Sequence, residues 1–403
     1  VNGGIVIIGA GGAGARTAIA VREQGFGGEV TLIGAERHAP YERPPLSKAS
    51  IVSETVPEPP VIADARQLGA LGVEVFAGVA ATSIDRRAKV VTLADGRVCS
   101  YDKLVLATGA RPRRLTLPGG ELALMLRDHE DSVRLRERFR AGGRIAIVGG
   151  GFIGLELASS ARALGCEVAV IEALPRVLQR ATPPGISARV EARHRAEGVE
   201  LVLGVGVAAL SLDAVALADG RRIAADAIVV GIGAIPETSL AAAAGLTVDN
   251  GVAVDARLRT SDPDIFAIGD CASFPHPLFD HRRMRLEAWR HAFDSGAFVA
   301  RALTGDEAEY QAVPWFWSDQ YDICLQIAGL PDAGTSTVAR DLGDEATLLF
   351  HLAGDGRLVG VSGFGPLGKI AKDVRVAEML IARRAAPEPA ALRDAKVKLK
   401  GLL

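Results

Sequence analysis

Two stretches of the chain repeat one pattern of apolar and polar positions. Ile5–Ile8 is a short apolar run leading into Gly9-Ala-Gly-Gly-Ala-Gly14, after which Ala18 and Val21 recur at helical spacing and Val30–Ile33 forms a second apolar run. Ile145–Val148 leads in the same way into Gly149-Gly-Gly-Phe-Ile-Gly154, followed by Leu157 and Ala161 and then by Val168–Ile171. Short apolar runs bounded by glycine suit buried strands, and apolar residues three or four apart suit a helix with one buried face. Each stretch therefore reads as a β-α-β unit of a parallel sheet.

Alternating apolar residues beside a tight turn mark β-ribbons at Val90-Val-Thr-Leu93 before Asp95-Gly96, and at Val215–Leu217 before Asp219-Gly220. From about Pro314 the pattern changes to an aromatic-rich segment, strands near Thr347–His351 and Arg357–Val361 around Asp355-Gly356, and a helix from Lys369 to about Arg384. The tail Ala385–Leu403, with two prolines and three alternating lysines, is expected to pack loosely. The fold class that follows is α/β, with two Rossmann-like dinucleotide-binding domains and a C-terminal α+β domain. The expected division is a discontinuous first domain over 1–113 and 246–320, a second over 114–245, and a third over 321–403.

Composition agrees with this reading. A chain of 403 residues exceeds one ordinary core, and 49% hydrophobic with 23% charged residues belongs to compact globular proteins. Net charge is -2 with both signs interspersed, which removes any global attraction to nucleic acid or anionic membranes. The longest apolar runs are strand-sized, so no targeting or membrane segment is expected. Cys99, Cys166, Cys271 and Cys324 are scattered without a CxxC pair or metal-ligand spacing, which fits small buried residues in a reducing, cytoplasmic setting and no metal site.

A glycine-rich turn between strand and helix suits a pyrophosphate. The first glycine makes the turn, the second admits the backbone close to the phosphates, and the third lets helix and strand pack tightly. Gly9, Gly11 and Gly14, and again Gly149, Gly151 and Gly154, occupy that context, so two dinucleotides are expected. Glu172 ends the second strand of the second unit, where an acidic residue commonly bonds the adenosine ribose and repels a 2′-phosphate. Only Arg176 among the next four residues is basic, so the second nucleotide reads as NADH. Glu36 lies three residues past the corresponding strand of the first unit, either as a ribose contact or as a solvated loop carboxylate. Val105–Pro112, with Ala107, Thr108, Gly109 and Arg111, and Val229–Pro236, with Gly231, Ile232 and Gly233, read as chain crossings beside bound nucleotides. Ile265–Asp270 is an apolar strand ending in Gly269-Asp270, where the carboxylate can accept from a flavin ribityl hydroxyl.

Two further motifs are more selective than the glycine turns. Pro40-Tyr-Glu-Arg-Pro-Pro-Leu-Ser-Lys48 resembles the loop along the flavin in glutathione-reductase-type flavoproteins, and Trp315-Phe-Trp-Ser-Asp-Gln-Tyr321 supports the same likeness. Within that group the chain resembles, over nearly its whole length, ferredoxin reductases of the putidaredoxin reductase type, which serve bacterial cytochrome P450 and aromatic-ring oxygenase systems. The resemblance implies that Arg43, Pro45 and Lys48 lie along FAD, that Lys48 pairs with Glu156 near the flavin N5, and that Asp270 holds the ribityl chain. It also implies an aromatic gate at Phe152, beside Ile153 in the NAD turn, with Trp289 and Trp317 bordering the ring. Ala35 departs from the pattern, since relatives often carry an acidic residue there for the FAD ribose.

Related disulfide reductases need a cysteine pair early in the first domain, and related oxidases and peroxidases need one cysteine there. Residues 36–60 contain none. The implied activity is therefore reduction of FAD by NADH and delivery of single electrons to a 2Fe–2S ferredoxin, itself acidic. A quinone or other small acceptor is one alternative. A redox-sensing binding protein like apoptosis-inducing factor is another, although its basic surface and long third-domain insertion are absent here. Candidate docking patches are His281-Arg-Arg-Met-Arg285 with Arg290, Arg383-Arg384, and Lys396, Lys398 and Lys400.

Overall fold

The computed structural model describes residues 4–343 and 345–403. The chain divides into two compact units, one formed by Val1–Glu42, Pro59–Arg111 and Ile235–Pro314, the other by Arg43–Glu58, Pro112–Ala234 and Trp315–Leu403. Among the described residues, no helix is long and apolar enough to cross a membrane.

The first unit is built on a five-stranded parallel sheet in the order Ile265–Ala267, Lys103–Leu106, Ile5–Ile8, Val30–Gly34, Val73–Ala77. Ile5–Ile8 is its middle strand and is buried along its whole length, which is why it reads as a continuous apolar run rather than an alternation. The helix Gly12–Glu23 follows directly and turns Ala13, Ala18 and Val21 inward. It packs closely on the helix Trp289–Leu303: a Cβ added at Gly296 would lie 2.6 Å from the Ala13 carbonyl, and Thr17 Oγ1 donates to the Gly296 carbonyl at 3.3 Å. The expected ribbon around Asp95-Gly96 is present as the antiparallel strands Ala81–Asp85, Val90–Leu93 and Val98–Ser100.

The second unit holds a four-stranded parallel sheet in the order Glu200–Leu203, Glu167–Glu172, Arg144–Val148, Ala227–Val230. The helix Phe152–Ala163 connects its two middle strands in sequence, and the ribbon Val207–Leu210, Ala214–Leu217, Arg222–Ala224 lies where the Asp219-Gly220 turn placed it. The segment Arg43–Glu58 belongs to this unit. Ile51 enters its core, Ser132 Oγ donates to the Leu46 carbonyl, Ser160 Oγ donates to the Ser47 carbonyl, both at 2.7 Å, and Arg136 donates to the carbonyls of Ser53 and Glu54.

The C-terminal part is a five-stranded antiparallel sheet, Trp315–Gln320, Ile323–Gly329, Leu358–Gly365, Ala346–Leu352, Ser336–Gly343, with the helix Leu367–Ala382 against it. Sequence periodicity marks only two of these strands. The two are Ala346–Leu352 and Leu358–Gly365, whereas Ile323–Gly329 is buried at every position and so lacks the alternation that a half-exposed strand shows.

The tail does not pack loosely. Leu392 and Leu399 are buried, and the guanidinium of buried Arg340 donates to the carbonyls of Leu392, Ala395 and Val397 at 3.3, 3.3 and 2.6 Å. Its prolines and lysines describe the local composition, whereas the anchor comes from a strand more than fifty residues earlier.

Candidate functional site

In the first unit each glycine of the turn has a separate steric reason. Gly9 takes φ +113°, and a Cβ there would lie 2.1 Å from the Ala107 carbonyl oxygen. A Cβ on Gly14 would lie 1.9 Å from the Gly9 carbonyl oxygen and 3.2 Å from Ile7. Gly11, by contrast, faces no protein atom within 4 Å. It is the N-cap of the Gly12–Glu23 helix, which has no side-chain cap and no acidic residue in its first turn. The first amides of that helix are thus left for an anion, and the open face at Gly11 is where the backbone can approach one.

The surrounding residues complete the unit. Thr108 Oγ1 donates to the Glu237 carbonyl at 2.6 Å, Gly109 turns the chain at φ +70°, its carbonyl accepts from Glu237 N at 2.9 Å, and exposed Arg111 reaches the Glu237 carboxylate at 3.6 Å. Glu36 is half-buried and accepts from the Tyr41 hydroxyl. Asp270 sits in a single 3-10 turn, Gly269–Cys271, at the end of the strand Ile265–Ala267, and its carbonyl accepts from Arg285. Trp289 opens its helix and stacks on Phe293, with centroids 4.3 Å apart, and Phe293 in turn fills the space over Gly12.

The second unit repeats the turn. Gly149 has φ +112° and a Cβ there would lie 2.4 Å from the Gly231 carbonyl oxygen; a Cβ on Gly154 would lie 2.1 Å from the Gly149 carbonyl oxygen. Gly151 caps the Phe152–Ala163 helix without a side-chain cap or first-turn acid, and its nearest protein atom to an added Cβ is 3.9 Å away. Gly231 donates to the Val148 carbonyl, Gly233 accepts from Arg113 N, Ile232 packs on the core beside them, and Ile153 is half-exposed. Both turns therefore fit a dinucleotide pyrophosphate.

Glu172 is held in place by one amide on each carboxylate oxygen, Gly150 N at 2.7 Å and Leu174 N at 2.8 Å, which ties the acid to the turn it serves. Arg176 faces inward to its own unit, donating to the carbonyls of Thr182 and Gln179 and to Ser187 Oγ at 2.8, 2.9 and 2.5 Å. These bonds occupy the one basic side chain among the four residues that follow Glu172.

The most concentrated chemistry of the second unit lies one turn into the Phe152–Ala163 helix. Glu156 is buried, with 5% exposure, and accepts from Lys48 Nζ at 2.8 Å, Ser47 Oγ at 2.5 Å and Ser318 Oγ at 2.7 Å. A buried carboxylate needs a counter-charge and hydrogen bonds together, and this one has both. Ser47 and Ser318 are functional candidates that residue-by-residue reading passed over, although each lies inside one of the two selective motifs. Arg43, just before Pro44 and Pro45, donates to the Arg127 carbonyl at 2.5 Å. Phe152 packs on Phe316, centroids 4.2 Å apart, while Trp317 Nε1 donates to Asp319 at 3.0 Å beside Trp315.

Residues 3–296 match the model of the pyridine nucleotide-disulphide oxidoreductase family. The chain belongs to that family. Residues 315–403 match the reductase C-terminal family. The chain is 40% identical to the ferredoxin-NAD(+) reductase component of the anthranilate 1,2-dioxygenase system of Burkholderia cepacia, over 99% of this chain and 98% of that one. It is 36% identical to putidaredoxin reductase of Pseudomonas putida, over 100% and 97%. Among solved structures, a ferredoxin reductase from Rhodopseudomonas palustris superposes with a TM-score of 0.94 at 37% identity and 99% coverage of both chains. The covalent putidaredoxin reductase-putidaredoxin complex matches with a TM-score of 0.94 at 35% identity, over 100% of this chain and 98% of that one.

For a member of a family named for disulphide chemistry, the cysteines are telling. Cys99, Cys166, Cys271 and Cys324 are all unbridged, Cys99 is half-buried, and the other three are buried. Burial raises the thiol pKa of each of them, the opposite of what a reactive thiolate needs.

Proposed function

We propose that the chain is an NADH:ferredoxin oxidoreductase in which the first unit binds FAD, the second binds NADH, and electrons leave singly for a 2Fe–2S ferredoxin of an oxygenase system. The observation that carries this reading is the combination of two complete dinucleotide turns with a thiol set that cannot relay electrons through a disulfide. FAD, when bound, supplies the conversion between a two-electron hydride and single electrons. The protein's part is binding and orientation. The uncapped amides at Gly11 and Gly151 receive the two pyrophosphates, Asp270 takes a ribityl hydroxyl, and Glu172 takes the NADH ribose and repels a 2′-phosphate. Lys48 and Glu156 orient the reacting region, with Ser47 and Ser318 each donating to one oxygen of the carboxylate. Hydride transfer needs such positioning rather than a strong acid or base, because misplacing reacting atoms by an ångström already costs orders of magnitude in rate. Unbridged cysteines suit a cytoplasmic location.

The test is anaerobic mixing of the holoprotein with NADH and a panel of 2Fe–2S ferredoxins, followed by bleaching of the ferredoxin visible bands. At least one acidic ferredoxin is expected to be reduced at a catalytic rate. Rapid turnover with a quinone and none with any ferredoxin would replace the proposed acceptor.

A further inference from the structure

The buried face of Glu156 is the end of a longer chain of side chains, all within the second unit. Ser318 Oγ lies 2.7 Å from Glu156 Oε1, Gln320 Nε2 lies 3.0 Å from Ser318 Oγ, His194 Nε2 lies 2.9 Å from Gln320 Oε1, and the Tyr321 hydroxyl lies 3.2 Å from His194 Nδ1. Ser318, Gln320 and His194 are 1%, 2% and 0% exposed, so water does not interrupt the series. Ser318 and Gln320 are two apart on one strand and point to the same face, as strand geometry requires.

The direction of every bond follows from the first. A carboxylate paired with an ammonium only accepts, so Ser318 must donate its one proton to Glu156. Ser318 then has only lone pairs for Gln320, which presents its amide NH2. The Gln320 oxygen is left for His194 and takes the Nε2 proton. His194 Nδ1 is thereby an acceptor, and Tyr321 donates to it. Burial lowers the His194 pKa and raises that of the Tyr321 hydroxyl, which keeps both groups neutral donors and acceptors despite Arg193 and Glu197 nearby.

The backbone is bent to serve this arrangement. Tyr321 takes φ +56° in the two-residue turn between Trp315–Gln320 and Ile323–Gly329, a left-handed conformation that glycine or asparagine adopts at less cost. Its amide donates at 2.8 Å to Ser159 Oγ, one turn along the helix from Glu156. The turn is thus tied to that helix at both Glu156 and Ser159.

We propose that Tyr321, His194, Gln320 and Ser318 form a one-way hydrogen-bond chain whose donors all run toward Glu156, and that they are positioning residues for hydride transfer at the Lys48–Glu156 pair. The proposal rests on the functional reading above, and its test separates the two. In holoprotein labelled with 15N-histidine and without NADH, His194 is expected to be the neutral Nε2–H tautomer; an Nδ1–H tautomer overturns the chain. Gln320→Glu keeps size and shape but supplies acceptors at both ends, so Ser318 is drawn away from Glu156. In stopped-flow reduction by NADH, Gln320→Glu and Ser318→Ala should each lower the limiting rate about tenfold, with NADH Kd within about twofold of the parent. Tyr321→Phe, at the far end and the mildest change, should lower it about twofold to threefold. A merely structural role predicts lower thermal stability with parent-like limiting rates, and that result overturns the positioning role. If Ser318→Ala does not fold, Gln320→Glu and Tyr321→Phe decide. A parent protein with the Nε2–H tautomer whose flavin NADH does not reduce sinks the reading of function while leaving the chain intact.

Discussion

Replacing Glu156 by glutamine removes one charge where an ammonium and two buried hydroxyls of the second unit converge. The carboxylate accepts from Lys48, Ser47 and Ser318 at 2.8, 2.5 and 2.7 Å with 5% exposure. A charge-assisted bond contributes about 1.5–3 kcal/mol against about 0.5–1.5 for a neutral one, so three weakened bonds set a ceiling of several kcal/mol. Removing one partner of a fully buried pair costs about 3–5 kcal/mol. The Lys48 side chain is 22% exposed and water relieves part of its lost pairing, which brings the expected loss to about 2–3 kcal/mol. For a unit of roughly 200 residues that corresponds to a fall in Tm of about 5–10 °C. Lys48 then loses its fixed position, and an orientation penalty of about 1.4–2.7 kcal/mol in the barrier slows flavin reduction about 10- to 100-fold. Lys48→Ala should slow the same step while FAD content changes little. The assays are calorimetry of the holoprotein and anaerobic stopped-flow mixing with NADH. Rates within about twofold of the parent for both variants, roughly 0.4 kcal/mol, would refute the argument and class the pair with screened surface salt bridges.

Gly11→Ala meets no protein atom within 4 Å, so it should fold like the parent yet lose FAD on purification, whereas Gly14→Ala, 1.9 Å from a carbonyl oxygen, should fail to fold normally; equal FAD content in Gly11→Ala and parent would refute the pyrophosphate role. Glu172→Gln should narrow the preference for NADH over NADPH in kcat/KM by about tenfold, and an unchanged ratio would show that Glu172 does not discriminate. Burial holds the His291 imidazole down to about 3 against an ordinary 6.5, stacked on Phe274. The unfolded chain therefore takes up a proton below about 6.5 that the folded one refuses, and stability present above that pH is lost as pH falls toward 3, about 2 kcal/mol by pH 5. His291→Asn should flatten that slope in denaturation measured at pH 7 and pH 5. Ferredoxin reduction should fall steeply with ionic strength while flavin reduction by NADH does not, since steering charges are screened over roughly 8–10 Å. Arg283 donates to the Val254 and Ser273 carbonyls and Arg290 pairs with Asp294, so charge reversal there should cost stability. Reversal of exposed Lys396, Lys398 and Lys400 should act on kcat/KM for ferredoxin, and salt-independent rates would argue for apolar docking.

Sequence alone determined what is local in this protein. The two β-α-β units, the ribbons at Asp95-Gly96 and Asp219-Gly220, and the distinct duties of the turn glycines all follow from periodicity and backbone sterics over windows of about twenty residues. The pairing of Lys48 with Glu156 came from resemblance to a family and not from any local pattern. Tertiary structure alone decided which distant groups share an environment. Ser47 and Ser318 stand 109 and 162 residues from Glu156, and no periodicity spans such distances. The same holds for Arg340, which fastens a tail whose composition reads as loose. A buried polar group must find its partners wherever the fold brings them, because leaving it unmet costs more than any propensity contributes.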